Sequence, residues 1–364
     1  MSEQPATPPG EHHEHGEHTE HGERTEHGEA GEHPDAGPSA LTPPVPPRSR
    51  ARRHALGLIL AILLSPAMLH LLTSGALSVI DGNRGAGLAA FVAAGLVAAG
   101  LAWTARVSAV GPAVAGSVWI LTSLALEIGV LSPVVLANLL FVDLTTNNPT
   151  GAALLSGATW LVLVGGSGLA GLALIAGAMA ASNARARGIR AERREADTIS
   201  AGDTRTPPRH RIGAHVSAVL IGALGSATAV VAASGIAHHV VGPPERSVLA
   251  APGTIAATIL VIVLILATGS TGALSSLGQA SGAVVWAVAA VATTTAGSAD
   301  HFWAVIEAIL SPITAMPDIA PDRLDIAGAC ILVALAMAGG ALGTHGARRE
   351  GRALERHEQE LLRT

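Results

Sequence analysis

From His54 onward the chain alternates long apolar runs with short polar gaps. A helix needs roughly 20 apolar residues to cross the hydrocarbon core, and runs of that order fall at 55–79, 86–104, 109–130, 152–181, 213–236, 252–272, 279–298 and 324–344. They are too long and too evenly apolar for barrel strands. A helix also satisfies its own backbone polar groups in lipid. The pattern therefore predicts an all-α, polytopic integral membrane protein with about eight transmembrane helices. Two connecting segments, 131–150 and 299–323, carry apolar pieces at 134–142 and 302–309 that are too short to cross. These read as interfacial or re-entrant segments.

Residues 1–47 follow a different rule. Glu recurs at every third position from Glu11 to Glu32, and His follows most of these. Period three matches neither a helix face nor a strand. With almost nothing apolar to bury, such a segment cannot offset its ordering entropy, so disorder is expected. The run Pro43-Pro44-Val45-Pro46-Pro47 then forms a stiff spacer. A secretory leader would begin with a short basic stretch and an apolar one, which this N-terminus lacks.

Composition sharpens the membrane reading. Of 364 residues 49% are hydrophobic and only 13% charged, against about a quarter charged in a soluble domain. All 22 basic residues are Arg and there is no Tyr, which suggests a high-GC, actinobacterial-like source. Arg48, Arg50, Arg52 and Arg53 precede the first run, and Arg106 separates the second from the third. Eight more, Arg185 to Arg211, fill the gap after the fourth, and five, Arg348 to Arg363, follow the eighth. The opposite gaps hold only Arg84, Arg246 and Arg323. Arg-rich loops stay cytosolic, so both termini are expected inside, in a bacterial cytoplasmic (inner) membrane.

The two parts of the chain resemble each other. At the offset of the tryptophans (286 − 119 = 167), Thr104 meets Thr271, Ser108 meets Ser275, and Gly111 meets Gly278. Glu127 precedes Leu131-Ser132-Pro133 as Glu307 precedes Leu310-Ser311-Pro312, and His54 and His215 open corresponding runs. Two four-helix repeats are expected, with an even span count giving both the same orientation. The organisation is then a tail at 1–47, a first membrane half at 48–181, an Arg-rich cytosolic loop at 182–212, a second half at 213–346 and a helical C-terminal stub at 347–364. The first part of that loop is expected to prolong the fourth helix. Small residues four apart, such as Gly278 and Gly282 or Gly339 and Gly343, favour close helix packing. Pro66 predicts a kink in the first span.

Candidate chemistry is sparse. Ionisable groups inside spans are costly and mark pathways. His70, one turn beyond Pro66, and Glu127, near the end of the third span, are the pathway candidates. For His70 the plainer reading is a neutral imidazole bonded to a carbonyl freed by Pro66. The tail's seven imidazoles, His12, His13, His15, His18, His21, His27 and His33, are donors for a zinc, nickel, cobalt or copper ion. His238, His239, Asp300 and His301 form a second, external candidate metal set. The sole cysteine, Cys330, excludes an internal disulfide and a Cys-based metal cluster. No catalytic or cofactor motif stands out, so no enzyme activity and no required cofactor are expected. The Arg-rich loop lacks interleaved aromatics, which argues against nucleic acid as a partner. The sequence therefore points to a carrier or permease-like protein, with the lipid bilayer as its surroundings. The alternative is a non-catalytic membrane scaffold or partner subunit binding an envelope protein or a second copy.

Overall fold

The computed structural model describes residues 48–140, 161–200, 210–240, 252–295, 301, 304–305, 308 and 323–363. Among the described residues the chain is helical, without strands. Three helices open the bundle: α1 (Arg48–Ile80), α2 (Arg84–Thr104) and α3 (Val110–Glu127). A short α4 (Pro133–Leu139) follows. A π-helical turn at Leu161–Gly166 leads into α5 (Ser167–Ser200), and α6 (His210–Val240) comes next. Then α7 (Pro252–Ser270), a 3-10 turn at Thr271–Ala273, α8 (Ser276–Thr294) and α9 (Arg323–Arg363) complete it. Eight of these helices are long and apolar enough to cross a membrane.

Local chemistry sets several boundaries. The third run was expected to continue to 130, but α3 stops at Glu127. Gly129 takes a φ of 72°, its N–H bonds the Leu126 carbonyl at 3.2 Å, and Leu131 N–H bonds the Ala125 carbonyl at 2.9 Å. A left-handed glycine just past the last turn is an ordinary helix stop. Asn83 accepts from Ala86 N–H at 3.2 Å and so caps α2. At the other extreme, α5 and α9 outrun the apolar segments that begin them. The expected C-terminal stub is continuous with the last span, and α5 runs through the first part of the Arg-rich loop to Ser200. Residues 152–160, the expected start of the fourth span, lie outside the described residues. Pro66 sits within an α1 that is helical on both sides of it.

The bundle is organised around α5 and α9, which pack on one another along much of their length. In addition α2 lies against α9 and α7 against α5, while α1 and α3 flank α2 as α6 and α8 flank α7. Burial follows the same register in both sets. In α3 Gly111, Pro112, Ala115, Gly116, Trp119 and Ser123 are buried; at the offset of the two tryptophans, α8 buries Gly278, Gln279, Gly282, Ala283, Trp286 and Ala290. In α1 Ser65, Met68, Leu69 and Thr73 are buried, and in α6 Ser226, Ala229, Val230 and Ser234 are, each set counted from His54 or His215. The helices' other faces carry exposed apolar side chains, including Leu121 at 63% and its counterpart Val288 at 61%. Such a surface is the reverse of a water-soluble one, which shows few large apolar patches.

Candidate functional site

At the end of the bundle far from Arg53 and Arg363, six helices fail to close on one another. The last two turns of α3 (Ile120 to Glu127) face the π turn and start of α5, the end of α6 and the middle of α7. Trp286 of α8 and Ile326, Ala329 and Cys330 of α9 complete the wall. They line a cavity of about 260 Å³ that takes side chains from both parts of the chain. The space has a local cause. Gly165 and Gly168 leave the α5 side without bulk, and a methyl at Gly168 would already stand 3.2 Å from Ser123 Oγ. The π turn over Leu161–Gly166 coincides with it, as such turns often do at functional sites.

The lining is overwhelmingly apolar. The lining residues that carry any polar group are Ser123, Glu127, Ser234, Thr258, Trp286 and Cys330. Ser123 is held in place by bonds at 2.8 Å to the Trp119 carbonyl and at 2.7 Å to Ser167 Oγ. Glu127 is the last residue of α3, so its charge adds to the negative end of that helix's dipole. Among the described residues no Arg or His lines the cavity.

The two pathway candidates separate. Glu127 stands in the wall, and His70 does not. His70 Nδ1 lies 2.8 Å from the carbonyl of Leu140, just past α4. A carbonyl only accepts, so Nδ1 carries the proton. The expected partner, a carbonyl freed by Pro66 within the same helix, is thus replaced by one 70 residues away. Leu136 and Leu140 are buried beside it, so α4 packs into the bundle and is fixed there by α1.

Of the metal candidates, His12, His13, His15, His18, His21, His27, His33 and Asp300 lie outside the described residues. His238 and His239 fall in the last turn of α6, with their side chains outside the described set, and His301 is exposed. Among the described residues no three His, Cys, Asp or Glu side chains gather as a metal set.

The opposite end is closed. Gly177 of α5 and Gly340 of α9 meet with a prospective Cβ-to-Cα distance of 3.6 Å. Further along, a methyl at Gly188 would strike the Arg348 carbonyl, and one at Gly351 would strike the Arg185 carbonyl. The ion pairs are reciprocal as well: Arg193 with Glu355 at 2.7 Å, and Arg356 with Glu192 at 3.6 Å. Glu350 joins Arg53 to Arg185. Arg185 donates to the Arg106 carbonyl in the α2–α3 turn, and Arg348 donates to the Ala273 carbonyl in the α7–α8 turn at 2.8 Å. Hydrogen bonding from Arg193 holds the Glu355 carboxyl below its ordinary 4.5, ahead of the opposing effect of burial.

Sequence reading passed over one buried group. Gln279, 1% exposed, donates to the Gly269 carbonyl at 2.7 Å and accepts from Thr344 Oγ1 at 3.1 Å. Its signal was available, since it is the sole Gln between residues 48 and 346. The paired caps were also missed. His54 and His215 each place Nδ1 2.8 Å from Ser108 and Ser275, whose hydroxyls accept the N–H groups of Val110 and Leu277 at 3.2 Å. The chain matches no family model, no curated protein and no solved structure.

Proposed function

We propose that the protein is a carrier or permease-like membrane protein built by duplication, its two four-helix halves related by an axis along the membrane normal. The shared burial register, the matched His–Ser caps and the reciprocal Arg–Glu pairs support duplication. The apolar outward faces support insertion in a bilayer. Arg106 stacks over Trp103 at 3.6 Å from the ring centroid beside the Arg-rich ends, an arrangement suited to a headgroup layer. With the Arg-rich end in the cytosol of a bacterial inner membrane, the cavity lies in the outer half of the bundle.

The observation that carries the reading is the cavity itself, shared by both halves and shut at the cytosolic end. Ligand sites between repeats, reached alternately from two sides, are the usual plan of such carriers. The His- and Glu-rich tail holds a divalent metal ion on the cytosolic face without forming part of the path.

The reading is tested in liposomes. Zinc, nickel, cobalt and organic-cation counterflow are compared for the full chain and for a chain lacking residues 1–47. A further variant carries Gly177→Cys and Gly340→Cys with Cys330→Ala. Oxidation to a disulfide across the closed end should stop flux, and reduction should restore it. Flux that ignores the crosslink overturns the alternating path. No flux of any of these ions favours the scaffold reading, in which the far end binds another envelope protein.

A further inference from the structure

The surroundings of the cavity say what fills it, an inference that needs the bilayer of the reading above and not its carrier role. Its walls are mostly hydrocarbon from α3, α5, α6, α7 and α9, with Trp286 of α8. Several of its polar groups are already engaged. Ser123 is bonded to the Trp119 carbonyl and to Ser167, Thr258 donates to the Thr254 carbonyl at 2.8 Å, and Glu127 interacts within the protein. Among the described residues Trp286 Nε1 has no partner, but neither has Trp119 Nε1, which does not line the cavity. That lone N–H therefore belongs to the paired tryptophans and not to a ligand. An apolar space excludes water, and left empty it forfeits the van der Waals contacts of its lining. A cavity of about 150 Å³ takes a six-carbon ring, so about 260 Å³ takes about ten methylenes.

The cavity is continuous with the apolar outer surface. Its α3 edge is Leu124, 49% exposed, whereas Val261 and Trp286 in its wall are each 1% exposed. Beside that edge Leu121 and, on α7, Ile259 and Val263 are exposed hydrocarbon. Among the described residues α3 packs chiefly on α1 and α5, and α7 on α6 and α5, which leaves α3 and α7 facing each other across the cavity. We infer that the cavity holds one acyl chain of a membrane phospholipid, which enters between α3 and α7 and lies between Leu124, Leu169, Val261 and Trp286. Such a chain asks for no polar partner, and this lining offers little polar surface. The surrounding bilayer presents acyl chains at a concentration that fills even a weak site.

The probe is a phosphatidylcholine with a diazirine near the end of one acyl chain, diluted into phosphatidylcholine nanodiscs that hold the full chain. Irradiation expels dinitrogen, and the carbene inserts into the nearest C–H, N–H or S–H bond, which peptide mass spectrometry then locates. Adducts on Trp286 and Cys330 are expected, although both are too buried for the surrounding lipid to touch. Ala233→Phe, which fills the cavity, should lower those adducts at least about tenfold, since a close-packed space admits no further group. Labelling of the exposed Leu121 and Ile259 should persist, and the unfolding midpoint should stay where it was. Should Ala233→Phe fail to fold, Ala329→Leu takes its place with the same expectation. Adducts confined to Leu121, Ile259 and other exposed positions overturn the inference, as does labelling of Trp286 and Cys330 that survives the filled cavity. A diazirinyl decane that labels them where the phospholipid does not points to a free apolar solute and overturns it too. Chain labelling without ion counterflow sinks the carrier reading and leaves the bound chain standing. Counterflow without chain labelling does the opposite.

Discussion

The two ends of this bundle are made from the same helices and behave as opposites. Near Arg53 and Arg363, glycine meets carbonyl, and arginine meets glutamate in matched pairs. At the other end α3, α5, α6 and α9 diverge around an apolar space that has Glu127 in its wall. The difference comes from where the glycines point. At the closed end they let two backbones touch, and van der Waals contact replaces side chains. At the open end Gly168 faces the Ser123 side chain and the cavity instead of a backbone, so the same lack of a side chain leaves a void. Small residues therefore specify either a seal or a cavity, depending on what stands opposite.

That contrast can be broken most forcefully at Gly351. Gly351→Leu drives a branched side chain into the Arg185 carbonyl and should cost about 3 kcal/mol, the upper range for overpacking. Ala329→Leu, which adds three carbons at the open end against four at Gly351, should change stability by about 1 kcal/mol or less. Both are read from unfolding midpoints in detergent, and equal losses would remove the distinction between the ends.

Next in size is Arg193→Ala. Glu355 keeps only 5% of its side chain exposed, whereas Arg193 keeps 57%. Removing the arginine leaves a buried carboxylate short of a partner, at a cost of about 1–2 kcal/mol. Glu355→Gln leaves an exposed guanidinium that water satisfies, so the loss should be smaller. The reverse order would show that the pair is held by something other than the burial of Glu355.

The same carboxylate gives the closed end an acid limit. Its folded-state value lies below the ordinary 4.5, so its stabilising contribution is present above that value. It is lost as pH falls through the depressed one. Helicity of the α5–α9 extension should hold at neutral pH and decline as pH falls below the ordinary 4.5 toward the depressed value. Glu355→Gln should flatten that decline.

The smallest effect is expected from His70→Phe, which deletes the tether to Leu140 at a cost of about 1 kcal/mol. Hydrogen exchange should rise over 133–140 and stay unchanged at Gly177 and Gly340.

The eight spans were legible because hydropathy over a lipid-sized window is a property of neighbours in sequence. Helix ends were less so. Apolar runs stop at the lipid boundary, while α9 continues as an Ala-, Arg- and Glu-rich helix to Arg363. Glu127 could be picked out as a carboxylate closing an apolar run. The cavity could not, because it depends on how six helices approach. His70 was visible as an imidazole in a span, but its partner lies beyond three further helices and has no local signature. Gln279 was readable and overlooked, and its amide bonds needed the fold to give them meaning.

One position sets the related helices apart. Where α8 buries Gln279, α3 buries Pro112, which has neither donor nor side-chain acceptor. The amide stitches α7, α8 and α9 into one stiff block, while the matching place among α2, α3 and α5 offers only a hydrocarbon ring. If the molecule rocks, the later-encoded block serves as stator and the earlier one as rotor. An architecture that looks even-handed would then have a fixed and a moving side, decided by a single codon.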